Sequence, residues 1–455
     1  VVMDEMEEVK VPVSNKICTE KEMRITGDEL EYKTFFLDEY QVGQVNDMGR
    51  GHRVILANPG AGKSVLLLSK AFKYASMYKD SNILLTCYNS NLADSYCFKR
   101  SCANFGNDSN LHIMTFHKLV KKIYEECLHA RCADNIATPE EIQNCINLVK
   151  SGKLKLRFKA IFIDEVQIFD PQYLELCYLL LEDAEDNTFL MAGDLNQTVR
   201  KKSRRGDVPW KKIAGVTLDF TGRVKYIRKN YRNSKQIGLY LCHMLQHMNE
   251  RMKMLNLIDF KELEYDSFEV GETKSLALNV KTGIGRMDIT KKTVDAIKEI
   301  AEKYKLSYSE IAVLFPYKQH DRIRYYNLYW LRQALDAEDI PYSMITSSRD
   351  GIFERKRYSD TNGVVLSTID SSLGLDFKAV IVTGLYPYNY IYGDDFYKKE
   401  ISSWNTIKGM NDDDQLQVQS QMRAIYTACS RARDVLYVLS DLKPGSPMEE
   451  ILKNR

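Results

Sequence analysis

Short, unbroken apolar runs alternate with helical patterns along most of the chain. "RVILANPGAGKSVLLL" (53–68) sets two such runs around a loop of Asn, Pro, Gly and Ala. "NILLTC" (82–87), "LHIMT" (111–115), "KAIFID" (159–164) and "TFLMAG" (188–193) follow, each with the continuous hydrophobicity of a strand buried on both faces. After "KNYRNSKQI" a second set begins, with "EIAVLFPY", "IPYSMI", "GVVLST", "KAVIVTG" and "DVLYVLS" separated by helical segments such as "RIRYYNLYWLRQALDA". Strands alternating with helices predict parallel sheets covered by helices. The chain is therefore expected to form two doubly wound α/β domains, over residues 37–223 and 224–455. About forty residues separate "TFHKL" from "FIDE", enough for a short helical insertion near 117–157. Residues 1–36 lack a complete apolar pattern and are expected to continue a domain that begins upstream.

The loop at 57–64 carries almost no side chains except one lysine and one hydroxyl. Gly60 and Gly62 permit positive φ, so backbone N–H groups can converge on an anion, and the helix opening at Lys63 aims its free N–H groups at the same place. The pattern is that of the phosphate-binding loop G-x-x-x-x-G-K-[ST], with Ala57 in the first position. The plainer alternative is a strand-turn-helix connection with an incidental GKS, so supporting groups must occur downstream. They do. "AIFIDEVQIF" puts Asp164 and Glu165 at a strand end, one suited to hold Mg²⁺ with Ser64 and the other to polarise an attacking water. "MAGDLNQTVR" places Asp194 and Gln197 after the next strand, where an amide could sense the γ-phosphate.

Composition narrows the class without naming it. The 455 residues are 44% hydrophobic and 28% charged with a net charge of +2, so any affinity for a polyanion must come from local clustering. No stretch is apolar enough to span a membrane, and the acidic start "VVMDEMEEVK" is unlike a signal peptide, which predicts a cytoplasmic protein, or a nuclear one in a eukaryote. Ten cysteines without a C-x-x-C fit reduced packing thiols. The group Cys97, Cys102, His117, Cys127, His129 and Cys132 matches no zinc spacing, and His243 and His247 lack the glutamate of a zincin motif.

Arg232 in "KNYRNS", the run "STIDSSLGLDF" (367–377) and "RAIYTACSRAR" (423–433) complete an ordered series of motifs. With these the chain, from about 37 to 440, resembles the UvrD/Rep-like helicases of superfamily 1A. The resemblance implies two RecA-like domains with ATP and Mg²⁺ in the cleft between them, and movement along single-stranded nucleic acid with 3′ to 5′ polarity. It implies that Gln41 in "LDEYQ" reads the adenine edge and that Tyr231 stacks on the base. Pro59, Gly60, Ala61, Gly62, Lys63, Ser64 and Val65 would surround the phosphates, with Ser64 and Asp164 on the metal. Glu165 and Gln197 would be catalytic, and Gln167 would couple nucleotide state to the nucleic-acid groove. Arg232 and Arg431 would be arginine fingers, and Gly374 and Asp376 would approach the ribose. Thr86 and Asn89 in "TCYNSNLA", and Thr115 and His117 in "TFHKL", would hold the nucleic-acid backbone.

Several positions depart from that pattern. Leu373 stands where the family usually has Lys, and Val65 where it often has Arg. After "GDLNQ" the family places stacking aromatics, whereas this chain has "TVRKKSRRGD", and between 200 and 232 basic residues outnumber acids about six to one. Arg200, Lys201, Lys202, Arg204 and Arg205 are thus candidates for phosphate contacts, the alternative being a solvated loop. Aromatics reappear in "YPYNYIYGDDFY" (386–397), either a stacking platform or a packed surface loop. The passage from "IPYSMI" to "VVLSTIDSS" leaves no room for the large accessory subdomain that UvrD-like enzymes insert there. A rival reading is therefore a nucleotide-gated DNA-sensing module that switches an attached or partner nuclease without productive unwinding. Compact helicases of this kind occur with nucleases, including in defence against phage. Residues directed at phosphates leave RNA open as the polymer.

Overall fold

The structure, a computed structural model, describes residues 10–12, 32–34, 51–57, 60–102, 110–128, 136–182, 187–194, 212–213, 216–217, 223–227, 232–254, 277–317, 327–346, 354–387 and 395–453. These fall into two compact units that part after Ile227.

The first unit is built on six strands, β1 (Gly51–Ala57), β2 (Ile83–Cys87), β3 (Leu111–Thr115), β4 (Ala160–Ile163), β5 (Thr188–Gly193) and β6 (Val224–Ile227). All are parallel, in the order β6-β1-β5-β4-β2-β3. Val54 and Leu56 of β1 face one apolar cluster with α3 (Phe116–Leu128), α4 (Pro139–Lys150) and α5 (Pro171–Leu179). Ile55 and Ala57 face the other, with α1 (Lys63–Met77) and α2 (Ser90–Cys102). Burial on both faces is why these strands read as continuous apolar runs. Helices α3 and α4 lie between β3 and β4 in the chain, α4 entered through a capping box in which Thr138 and Glu141 satisfy each other's backbone N–H groups. Two short antiparallel pairs, Lys10–Pro12 with Tyr32–Thr34 and Lys212–Ile213 with Val216–Thr217, stand outside the sheet.

The second unit repeats the plan. Strands β7 (Leu278–Lys281), β8 (Ile311–Phe315), β9 (Tyr342–Met344), β10 (Val364–Thr368), β11 (Phe377–Val382) and β12 (Ala432–Leu439) form a parallel sheet in the order β7-β12-β11-β8-β10-β9. Helices α6 (Lys235–Met254), α9 (Trp404–Lys408), α10 (Asp412–Cys429) and α11 (Pro447–Lys453) pack on one face, and α7 (Ile289–Tyr304) and α8 (Asn327–Ala337) on the other. Two parallel six-stranded sheets, each sandwiched by helices, make this the two-RecA-like-domain α/β architecture expected from the sequence.

Two details differ from the expectation. Val224–Ile227, placed at the start of the second domain, pairs with Val54–Ala57 of β1 and closes the edge of the first sheet, so the first unit runs to Ile227. A four-residue strand carries no mark of which sheet it joins. The edge strand β7 had no counterpart in the pattern, being only partly buried. None of the described helices is long and apolar enough to cross a membrane.

Candidate nucleotide site and its surroundings

Because the strands are parallel, their carboxyl ends meet at one edge. Register sets Leu56 opposite Gly193 and Thr86 opposite Ile163, so the segments that follow β1, β2, β4 and β5 emerge together. Gly60 (φ 75°) and Gly62 (φ 83°) adopt left-handed backbone, as a loop that turns its N–H groups inward requires. Gly62 is the N-cap of α1, and neither a capping side chain nor an acid in the first turn competes for the helix N-terminus. Lys63, largely buried, donates to the Ala57 carbonyl at 3.0 Å and so lies folded along the loop. Val65 follows within the first turn of α1. Pro59 lies outside the described residues, as do Gln41, Tyr231 and Gln197.

The acidic pair is held more tightly than its spacing could reveal. Asp164 is fully buried, and its Oδ2 accepts from Ser64 Oγ at 2.7 Å and from the Tyr96 hydroxyl, while Oδ1 accepts from the Glu165 N–H at 2.8 Å. Burial, reinforced by the Glu165 carboxylate, raises the Asp164 pKa, and the Tyr96 and Ser64 hydrogen bonds and the Lys63 charge oppose that rise. Glu165 has φ 55° and ψ 44° and caps the 3₁₀ turn Val166–Ile168. Its carboxylate accepts from Gln167 Nε2, and Gln167 Oε1 accepts in turn from the Asp194 N–H at 3.1 Å. One amide thus joins the turn after β4 to the end of β5. A Cβ at 193 would lie 2.5 Å from Gln167 Oε1 and 2.8 Å from Val166 Cγ1, so any side chain there would displace both.

Magnesium prefers oxygen ligands and commonly takes one or two from protein, completing its shell with phosphates and water. A serine hydroxyl and a carboxylate 2.7 Å apart beside an anion-directed helix N-terminus suit that chemistry. No group of three or more His, Cys, Asp and Glu among the described residues could hold a metal by itself.

The candidates for nucleic-acid contact are placed differently from one another. Thr115 Oγ1 accepts from the Lys118 N–H at 3.2 Å, capping α3, and His117 Nδ1 accepts from the Ala137 N–H at 3.2 Å among the rings of Tyr88, Phe116 and Tyr173. Thr86 is buried as well and its carbonyl accepts from the Asp164 N–H. These three shape the strand ends from inside. Asn89 is half-buried and accepts from the Asn91 N–H at 2.9 Å, starting α2. Arg200, Lys201, Lys202, Arg204 and Arg205 lie outside the described residues.

In the second unit, Arg232 and Arg431 come from adjoining segments. Asn233 Nδ2 donates to the Ser430 carbonyl at 3.1 Å, and the Ser234 N–H to the Arg433 carbonyl at 2.8 Å. Arg431 is 1% exposed, its guanidinium on the carbonyls of Thr427 and Leu375, both at 3.2 Å. Gly374 has φ 77°, and Asp376 forms an ion pair with Arg433 at 3.7 Å. Gly374, Asp376, Arg232 and Arg431 therefore share one edge of this unit. The sequence reading missed Arg433, although it stands in "RAIYTACSRAR", and Tyr96, an aromatic on a helix whose pattern gave no signal. At the opposite ends of these strands a cavity of about 520 Å³ is lined by Tyr317, Tyr386, Phe396, Tyr397, Gln417 and Gln421, among others. The aromatic run 386–397 thus contributes rings to a cavity wall, while residues 388–394 lie outside the described set.

A family model described as an AAA domain matches residues 41–202. It is a P-loop NTPase domain found in UvrD/Rep-like helicases, and the matched segment includes the phosphate loop, Asp164, Glu165 and Gln167. No curated protein matches the chain.

Proposed function

We propose that the chain is an ATP-driven translocase on single-stranded nucleic acid, DNA in the first instance, moving 3′ to 5′. The observation that carries this reading is the wiring of the nucleotide site, in which Ser64, Asp164, Glu165, Gln167 and the Asp194 backbone form one hydrogen-bonded chain across three strand ends. Gly60, Gly62 and the α1 N-terminus would take the phosphates, with Lys63 turning from the Ala57 carbonyl to the β- and γ-oxygens. A magnesium ion held by Ser64 and Asp164 would neutralise phosphate charge. Glu165 would accept the proton of the attacking water, and Gln167 would feel that change and pass it to Asp194. Arg232 and Arg431 would stabilise charge spreading over the γ-phosphoryl group, Arg431 first releasing the carbonyls of Thr427 and Leu375.

A second reading is a DNA-sensing ATPase that regulates a nuclease. It is favoured by the short chain between β9 and β10, residues 345–363, which cannot house an accessory subdomain. One comparison separates the two: ATP hydrolysis with single-stranded DNA, duplex DNA, RNA and no polymer, beside strand displacement. Hydrolysis stimulated by single strands together with displacement supports the translocase. Stimulation without displacement or movement supports the sensor, and hydrolysis indifferent to every polymer defeats both.

A further inference from the structure

We propose that Tyr96 is a positioning residue for the metal-binding carboxylate, its buried hydroxyl fixing Asp164 in the orientation in which Asp164 and Ser64 hold the magnesium ion of a bound nucleotide. The proposal rests on the nucleotide-hydrolysing reading above. Tyr96 lies on α2 and is 1% exposed, its ring set in the apolar cluster that also takes Leu66, Leu67 and Leu92. A ring so enclosed cannot swing its hydroxyl away, so the donor to Oδ2 is fixed by packing.

The carboxylate's acceptor capacity shows what that donor does. An ionised carboxylate offers about four lone-pair sites. At Asp164 two on Oδ2 are filled by Ser64 and Tyr96, and one on Oδ1 by the Glu165 N–H. The remaining site on Oδ1 is left for the metal or its water. Ser64 gives its single proton to Asp164, so what its hydroxyl can present to a cation is a lone pair. Donors from α1, α2 and the turn after β4 together over-determine the carboxylate plane. Without the Tyr96 hydroxyl, Oδ2 would keep one donor in a fully buried place and the group could rotate about its Cβ–Cγ bond. Partners hydrogen-bonded to metal ligands commonly matter by about 10- to 100-fold in metal affinity.

The test uses the whole chain and two phenol-to-phenyl changes. Tyr96→Phe keeps the ring and removes the hydroxyl from Asp164. Tyr74→Phe removes another buried hydroxyl from the same apolar cluster, one bonded to Thr188 Oγ1 at 3.0 Å and remote from the carboxylate. Binding of Mn²⁺, standing in for Mg²⁺, to the ADP complex is followed by electron paramagnetic resonance, with ADP affinity in EDTA and thermal midpoints measured alongside. Tyr96→Phe is expected to weaken Mn²⁺ binding by about tenfold or more while leaving metal-free ADP affinity unchanged, and Tyr74→Phe to leave Mn²⁺ binding at the wild-type value. Unchanged Mn²⁺ affinity in Tyr96→Phe, or equal weakening in both variants, overturns the assignment and returns Tyr96 to packing alone. Failure of the wild type to bind Mn²⁺ with ADP would overturn the nucleotide reading itself.

Discussion

Glu165 holds a left-handed backbone, a conformation that costs a non-glycine residue about 1–3 kcal/mol. The turn is kept because its surroundings fix it: the Glu165 carbonyl accepts the Ile168 N–H, and Gln167 holds the carboxylate from the other side. Lys63→Ala and Glu165→Gln should each abolish ATP turnover. Glu165→Gln should retain ATP binding, since the groups proposed to take the phosphates lie on the loop and α1. Both side chains are buried, so circular dichroism must accompany the assay, and near-wild-type hydrolysis by either variant would remove the site assignment. Gly193→Ala tests the relay without touching a reacting group. Its methyl would enter the space of Gln167 Oε1 and Val166 Cγ1, driving the amide off the Asp194 N–H and costing roughly 1–3 kcal/mol of stability. Turnover should fall with ATP affinity preserved. A variant as active as wild type would mean that Gln167 transmits nothing through Asp194.

At the level of strands and helices, the ends of elements carry most of the chemistry. Asp441, just beyond β12, accepts from the N–H groups of Leu385 (2.8 Å) and Tyr386 (3.0 Å), tying the loop after β11 to the cavity wall. Burial pushes its carboxyl up to about 6 despite those two donors. The folded pKa exceeds the unfolded value of about 3.9, so the native state retains the proton between about pH 4 and 6. Stability therefore falls as pH rises through that window, by at most roughly 3 kcal/mol, and the loss is complete above it. Asp441→Asn keeps an oxygen for both N–H groups and cannot titrate. Its urea midpoint should equal the wild type's near pH 4 and exceed it increasingly toward pH 7, whereas a constant offset would show that Asp441 does not titrate on folding. Elements of this kind were unevenly legible. Ile83–Cys87 and Ala160–Ile163 declared themselves because both faces are buried, and Gly60, Gly62, Lys63 and Ser64 because their backbone geometry admits few alternatives. Val224–Ile227 could not announce its sheet. The inward aim of Thr115 and His117 was invisible, since a strand-end position fixes where a residue sits and not which N–H it will meet. Tyr96 was hidden because its partner Asp164 lies 68 residues away and an aromatic on a helix reads as core.

At the scale of the whole molecule, the roles proposed for residues of the two RecA-like units make separable predictions. In the proposed role of Arg431 as an arginine finger, Arg431→Ala should lower kcat by on the order of 10³ with little change in KM for ATP, because a finger acts on the transition state. It should also cost roughly 1–3 kcal/mol, since the carbonyls of Thr427 and Leu375 lose a buried donor. Arg232, which is half-exposed, should show the kinetic effect with less loss of stability, and a rise in KM alone for both variants would sink the arginine-finger roles proposed for them. The proposed contact with nucleic acid has two candidate surfaces with different physical signatures. The basic run would neutralise phosphates, so replacing Arg200, Lys201, Lys202, Arg204 and Arg205 by Gln should weaken binding to all sequences alike and flatten the log–log salt slope by roughly 0.7 for each lost contact. The cavity of the second unit would act through rings, Tyr317 and Tyr397 meeting edge to face with centroids 5.7 Å apart. Tyr397→Ala should then cost about 1–3 kcal/mol of single-strand affinity with the salt slope unchanged, since stacking releases no counterions. Labelled oligonucleotides titrated across a salt series read slope and affinity together. A flattened slope in the first variant assigns the run to the backbone, and a parallel downward shift in the second assigns the cavity to the bases. If neither variant changes slope or affinity, neither the basic run nor the cavity contacts nucleic acid, and the proposed movement along a single strand loses both of its candidate surfaces.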